Sequence, residues 1–320
     1  MPRLKIKKRI RTKKQSICAP FIEPNNLSST KKLTKSNINI ITSATDETCF
    51  SIDALRKIAD KWNTTHPTMR IDYNTTTTTG KSLWNSINNA MRSQCTNEVC
   101  WLKQNFIKDS SLARELMKNF RPMMPNKWKE NPREWLNTLD IRDVMNQYEV
   151  KHPDFEFIGP VPMDFDSKVG FGQCVINELC NIKLESLLEK GKNKIGVVFN
   201  LDKHTQPGSH WVAMWAQFPL QGKQTIKPAE ICYWDSYGMR PNHEVVNLIK
   251  RLENQAKTLG HQVHIKINKR RHQYKNTECG VYCIYFLTSF LEGREFEDIV
   301  ENIINDDDMF KKRKNYFVRI

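Results

Sequence analysis

Two kinds of apolar pattern divide the chain. Ile52, Leu55, Ile58, Ala59 and Trp62 recur at helical spacing, as do Leu83, Ile87 and Met91, with Trp84 widening that face. Leu112, Leu116 and Phe120 form a third stripe, which Pro122 and Pro125 bring to a stop. Together these stripes predict a helical N-terminal arm over residues 41–122. Stripes of this kind usually serve packing, and they leave the arm's function open.

Further along, the pattern shortens into β-branched runs. Lys194-Ile195-Gly196-Val197-Val198-Phe199-Asn200 and the apolar stretch 210–215 flank a polar loop holding Pro207-Gly208, and Ile231-Cys232-Tyr233-Trp234 runs into Asp235 and the turn residues Ser236 and Gly238. Strands are expected at about 195–200, 210–216, 231–235 and 262–267, and helices at about 172–190, 243–258 and 280–291. The fold class read from this is α+β, a mixed sheet flanked by helices, with the core at 123–320 following the arm.

The core carries reactive side chains in a productive order. Cys279 precedes Gly280 and the apolar run 281–291, which reads as a buried helix. A thiol on the first turn of such a helix meets the positive end of its dipole, which favours the thiolate. Gly280 would allow substrate or backbone to come close, and Cys283, one turn deeper, would face the core. His210 falls at the loop-proximal end of its strand, and Asp235 at the end of the next. An acid there can accept from imidazole Nδ1–H and leave Nε2 to take the thiol proton. Gln273 stands six residues before Cys279, where its side-chain amide could join the Cys279 N–H in holding a tetrahedral oxyanion. Each residue alone has a structural reading, since a cysteine in an apolar helix is usually core. The conjunction is what points to a cysteine protease.

The motifs His210-Trp211, Asp235, Gln273 and Glu278-Cys279-Gly280 resemble the pattern of the adenain-like and SUMO-protease group of cysteine peptidases, clan CE. Trp135-Leu136-Asn137 followed by Ile141 is similar to the segment that opens the catalytic core of that family, and the resemblance extends over about residues 123–320. The C-terminal stretches Asp307-Asp308-Met309-Phe310-Lys311 and Phe317-Val318-Arg319-Ile320 look like those of the polyprotein-processing proteases of large cytoplasmic DNA viruses, such as that of African swine fever virus. The resemblance implies a papain-like or adenain-like core and a thiol endopeptidase with His210, Asp235, Gln273 and Cys279 in the catalytic roles. It implies Trp211, Trp234 and Tyr237 as the walls of a narrow tunnel that passes only small residues, so that viral precursor polypeptides are cut after Gly-Gly or Ala-Gly. Removal of a ubiquitin-like modifier such as SUMO is the rival activity, and an inactive nucleic-acid-binding structural protein a third. The implied locations are the virion and the viral factory in the host cytoplasm. One departure is the long interval between His210 and Asp235, where 217–230 predict an enlarged hairpin loop bearing on the cleft rim.

Charge adds a second theme. The formal net charge is +15, and residues 1–40 hold eleven Lys or Arg against Glu23 alone, eight of them within the first fourteen residues. Such a block does not fold by itself, and it suits nucleic-acid phosphates, an acidic partner or an import receptor, or simply solubilises. Nine cysteines, an odd number without framework spacing, and the lack of a signal peptide predict free thiols in a reducing compartment. No apolar stretch is long enough to span a bilayer, and no cofactor is expected. The run 75–79 before Gly80-Lys81-Ser82 imitates a phosphate-binding loop, but Thr75 replaces the first glycine, so a helix cap is preferred. Cys95, Cys100, Cys174 and Cys180 lack tight metal-ligand spacing, so no metal site is expected. Cys174, a rival nucleophile, lacks both the upstream Gln and the acidic-Cys-Gly context.

Overall fold

The computed structural model describes residues 17–21, 25–26, 47–220 and 228–319. The expected basic tail therefore lies almost wholly outside the described residues. Its described segment 17–21 is anchored to folded chain, since Cys18 bonds to Cys49 and Ala19 N–H donates to Asn119 O. The chain forms two compact units, one ending at Arg121 and the other spanning Pro122–Arg319.

In the first unit a two-residue ladder, β1 (Asn25–Asn26) and β2 (Glu47–Thr48), precedes four helices: α1 (Ile52–Thr65), α2 (Gly80–Met91), α3 (Glu98–Trp101) and α4 (Ser111–Met117). Each helix begins where a side-chain oxygen satisfies a first-turn N–H that has no partner within the helix. Ser51 accepts from Ala54 N, Thr79 from Ser82 N, Asn97 from Cys100 N and Ser110 from Ala113 N. The Thr79 cap gives the threonine run a helix-starting role. The predicted stripes Leu55-Ile58-Trp62 and Leu83-Ile87-Met91 are buried.

In the second unit a 3-10 turn at Asn126–Lys129 precedes α5 (Thr138–Lys151), which is held by a reciprocal capping box between Asn137 and Asp140. Five strands follow in spatial as well as chain order: β3 (Phe155–Pro162), β4 (Lys194–Asn200), β5 (Trp211–Gln217), β6 (Ala229–Trp234) and β7 (Val263–Ile267). The outer pairs β3·β4 and β6·β7 are parallel, and the inner pairs are antiparallel. Helices α6 (Asn177–Cys180), α7 (Leu184–Glu189), α8 (His243–Thr258), α9 (Cys279–Leu291), α10 (Phe296–Glu301) and α11 (Asp306–Tyr316) complete the unit.

Both sheet faces are covered, which is why β4 and β5 read as unbroken apolar runs. Trp211, Ala213 and Trp215 of β5 pack with α5, α9 and α11 on one face, while Val212, Met214 and Ala216 pack with α7 and α8 on the other. The helix expected at 172–190 is in fact broken into a short 3-10 turn, α6 and α7. Between the two helices Gln255 from α8 takes up the freed backbone, its side chain accepting from Leu184 N and donating to Ile182 O. β3 was not expected at all.

The expectation of nine free thiols is overturned. Cys18–Cys49, Cys95–Cys100 and Cys174–Cys180 are disulfides, leaving buried Cys232, Cys279 and Cys283 free. Spacing along the chain did not reveal which sulfurs the fold brings together. The long β5–β6 connection also sits elsewhere than expected. It joins the strand ends opposite those that carry His210 and Asp235, about 20 Å away over the length of β5. Among the described residues no helix is long and apolar enough to cross a membrane.

Candidate active site

One end of the sheet gathers the reactive groups. His210 stands immediately before β5, Asp235 immediately after β6, and the antiparallel register of these strands brings the two side by side. His210 Nε2 lies 2.8 Å from Asp235 Oδ1, with Asp235 almost fully buried. This reverses the expected ring assignment. Asp235 takes Nε2, and Nδ1 is the nitrogen left for the thiol. Cys279, the first residue of α9, stands near enough to the imidazole to help raise its pKa. Burial works against imidazole protonation, but the hydrogen bond to Asp235, the Cys279 side chain and the negative charge beside the ring outweigh it, and the His210 pKa is pushed up to about 9.

The turn after β6 fixes the acid. Asp235 Oδ1 also accepts from Tyr237 N at 2.8 Å, and its carbonyl accepts from Asn268 Nδ2 at 2.7 Å. Gly238 closes the turn at φ +74°, where a Cβ would meet the backbone of Lys269 and Arg270 at 3.0 Å. Tyr237 stacks on the His210 ring with centroids 4.6 Å apart, its hydroxyl donates to Lys275 O, and the Arg271 guanidinium covers its ring at 5.3 Å. Tyr237 therefore lies against the base.

Gln273 is fully buried on the loop leading into α9. Its Oε1 accepts from Ser236 Oγ and its Nε2 donates to Lys275 O, both at 2.6 Å, leaving one amide N–H uncommitted. The Cys279 backbone N–H, at the first turn of α9, has no partner within the helix. Two potential oxyanion donors thus come from adjoining segments.

The two tryptophans fare differently. Trp234, expected as a tunnel wall, is 0% exposed, stacked on Phe286 and met edge-on by His272. It is a core residue, because its position in β6 points to the face that α9 covers, and it offers nothing to a substrate. Trp211 is also largely buried, its indole N–H donating to Leu136 O at 2.9 Å. That bond ties Leu136 to Trp211, and the preceding residue, Trp135, is 39% exposed. Gly280 also has another reason to be there than substrate approach: a Cβ would meet Leu136 Cβ at 3.0 Å and Ile141 Cδ1 at 3.3 Å. Cys283 faces the core as expected, and burial pushes its thiol well up. Cys174, the rival nucleophile, is bonded to Cys180.

Glu278, the acid before the nucleophile, was read only as part of a motif. It is fully buried, with Oε2 2.9 Å from Arg313 Nε of α11 and Oε1 3.4 Å from Arg133 Nη1. Arg313 also donates to Thr277 O and Pro132 O and lies 4.8 Å over the Trp128 ring. No sequence signal pairs residues 35 positions apart. Among the described residues no three metal-ligating side chains converge.

The C-terminal catalytic domain of the Ulp1 protease family matches residues 190–320. A thiol protease of Acanthamoeba polyphaga mimivirus is 34% identical over 226 residues, covering 69% of this chain and 68% of that protein. The chain belongs to the Ulp1 family of cysteine proteases. The cysteine protease of African swine fever virus is 25% identical over 217 residues, covering 66% of this chain and 76% of its own. A crystal structure of the African swine fever virus protease superposes with a TM-score of 0.59 over 97% of this chain and 98% of that one, at 20% identity, a likeness of fold. As a Ulp1-family enzyme the protein is a cysteine protease, a hydrolase of peptide bonds that acts on protein substrates.

Proposed function

We propose that this Ulp1-family protease is an endopeptidase that matures viral precursor polypeptides, with Cys279 as nucleophile, His210 as base, Asp235 as its orienter and Gln273 as oxyanion donor. The observation that carries the chemistry is the His210–Asp235 hydrogen bond at one sheet end, with Cys279 beside the ring at the start of α9. The Cys279 proton passes to His210 Nδ1, and the thiolate attacks the scissile carbonyl carbon. Charge then develops on the carbonyl oxygen, where the Gln273 amide and the Cys279 N–H oppose it. The imidazolium gives its proton to the departing amine, leaving a thioester. Water, deprotonated by His210, hydrolyses that ester through a second oxyanion and restores the thiol. Asp235 keeps the ring in place throughout and stabilises its cationic form.

The viral setting rests on the relatives, which are named as thiol or cysteine proteases of large DNA viruses. Placement in the virion and in the host cytoplasm follows from the same reading; contact between the basic N-terminal residues and nucleic acid is proposed from their charge. Aromatic side chains beside the base, Tyr237 stacked on His210 and Trp211 next to it in the chain, favour a small residue before the cut, since a branched side chain would meet a ring before the carbonyl reached the thiol. Proteins of some African swine fever virus isolates are named as SUMO-1 cysteine proteases, which keeps the isopeptidase reading in view. Incubation with viral precursor polypeptides and, in parallel, with SUMO and ubiquitin conjugates tests the choice. Cleavage of the precursors at Gly-Gly or Ala-Gly sites is expected, and cleavage of the conjugates alone would overturn it.

A further inference from the structure

Ser236 lies between the acid and the oxyanion donor, and both of its polar groups on that side are spent on the donor's segment. Its carbonyl accepts from His272 N at 2.8 Å and from Gln273 N at 2.9 Å. Its hydroxyl donates to Gln273 Oε1 at 2.6 Å, with both residues fully buried. On its other side, the carbonyl of Lys275 accepts from Gln273 Nε2. A carbonyl oxygen can only accept, so a flipped amide would set oxygen against oxygen there. Lys275 therefore fixes which end of the amide is nitrogen, and Ser236 fixes how far and at what angle the group reaches. Donation to Oε1 also draws electron density from the amide nitrogen, and chains of hydrogen bonds in a buried site strengthen one another. The remaining N–H becomes a better donor.

We propose that Ser236 is a positioning residue for the oxyanion donor, coupling the turn that holds Asp235 to the amide of Gln273. This rests on the reading of Gln273 given above. It makes one short turn responsible for two functions: its first residue orients the base, and its second aims and polarises the group that meets the developing charge. The effect belongs to the transition state, because the uncommitted N–H gains most when the carbonyl oxygen carries full charge.

The test is a double-mutant cycle on the full chain with a peptide substrate. Ser236→Ala is expected to lower kcat about tenfold, an order of magnitude below the ~10²–10³ loss from removing a donor itself, with KM changed less than twofold. In the Gln273→Ala background, Ser236→Ala should cost less than twofold, since the group it aims is gone. A substrate-like aldehyde, which forms a tetrahedral adduct bearing the oxygen, should lose affinity in proportion to kcat, while the KM of the parent peptide does not move. Equal losses from Ser236→Ala in both backgrounds would mean a general structural role and would overturn the proposal, as would unchanged kcat and aldehyde affinity. If Gln273→Ala itself leaves kcat intact, the donor assignment fails first. If Gln273→Ala is damaging and Ser236→Ala silent, only the positioning role fails. Should Ser236→Ala lower the melting temperature, the aldehyde-to-KM comparison still discriminates, because partial unfolding reduces active enzyme without changing the affinity of what remains.

Discussion

Arg313→Met isolates the buried ion pair behind the nucleophile. Glu278 is wholly inside, so the change leaves its carboxylate with only the longer contact to half-exposed Arg133 and the Thr277 hydroxyl. Breaking a buried pair from one side costs about 3–5 kcal/mol, and the residual Arg133 contact argues for the lower end, about 3 kcal/mol. The methionine keeps much of the stem's packing but loses the cation over Trp128 and the bonds to Thr277 O and Pro132 O. For a unit the size of Pro122–Arg319, 1 kcal/mol corresponds to roughly 2–4 °C, so the melting temperature should fall by about 6–12 °C. Thermal unfolding followed by circular dichroism, in a Cys279→Ala background so that self-cleavage plays no part, gives the measurement. Adding Glu278→Gln removes the stranded charge and should recover at least half of the loss. A fall of less than 2 °C for Arg313→Met, or a double variant less stable than the single one, would refute the view that an uncompensated carboxylate at the start of α9 is what the pair prevents.

Further predictions concern the site itself. Cys279→Ala should abolish peptide cleavage with the fold retained, whereas replacing both Cys174 and Cys180 with serine should leave kcat within about threefold; the reverse pattern in a fluorogenic assay would transfer the nucleophile. Because the His210 pKa is raised from 6.5 to about 9, the proton that the ring takes from Cys279 stays on it through neutrality, kcat/KM should decline as pH rises through about 9, and Asp235→Asn should shift that decline toward lower pH. The same sign applies to stability: His210's contribution is full below about 6.5 and fades as pH rises through about 9, readable from melting temperatures across that window. Gly280→Ala should lower stability by about 1–3 kcal/mol through overpacking against Leu136, measurable by urea unfolding. In a peptide library, a small residue before the cut should be preferred over Val or Leu by about a hundredfold, ~3 kcal/mol in barrier.

The inner strands and α9 were legible because continuous apolar runs of strand length and a 13-residue apolar helix have few alternative homes. β3 was hidden by Gly159, Pro160 and Pro162, residues that argue against a central strand yet are admissible at a sheet edge, where β3 lies. The same burial on both faces that made β6 visible concealed the fate of Trp234: with no polar face to set the phase, the run could not say whether the indole met the cleft or α9. His210, Asp235 and Cys279 were legible as types in order, but the choice between Nδ1 and Nε2 depends on a ring rotation that no spacing encodes. Disulfide partners, the Glu278–Arg313 pair and the Ser236–Gln273 bond are contacts across 5 to 37 positions and exist only once the chain has folded.

The β5–β6 hairpin has two poles with unlike obligations. At one, three consecutive residues hold two catalytic groups between them, Asp235 and Tyr237 the His210 ring and Ser236 the Gln273 amide, so a single insertion there would displace acid, amide and ring stack together. At the other, the connection between Gln217 and Ala229 begins with Phe218, which is buried and bonded to Asn193, and beyond that anchor lengthening a loop costs little, about 0.6 kcal/mol per doubling. That far pole is a natural port for grafting. A reporter epitope or a recognition peptide spliced into it would travel with the enzyme some 20 Å from its chemistry.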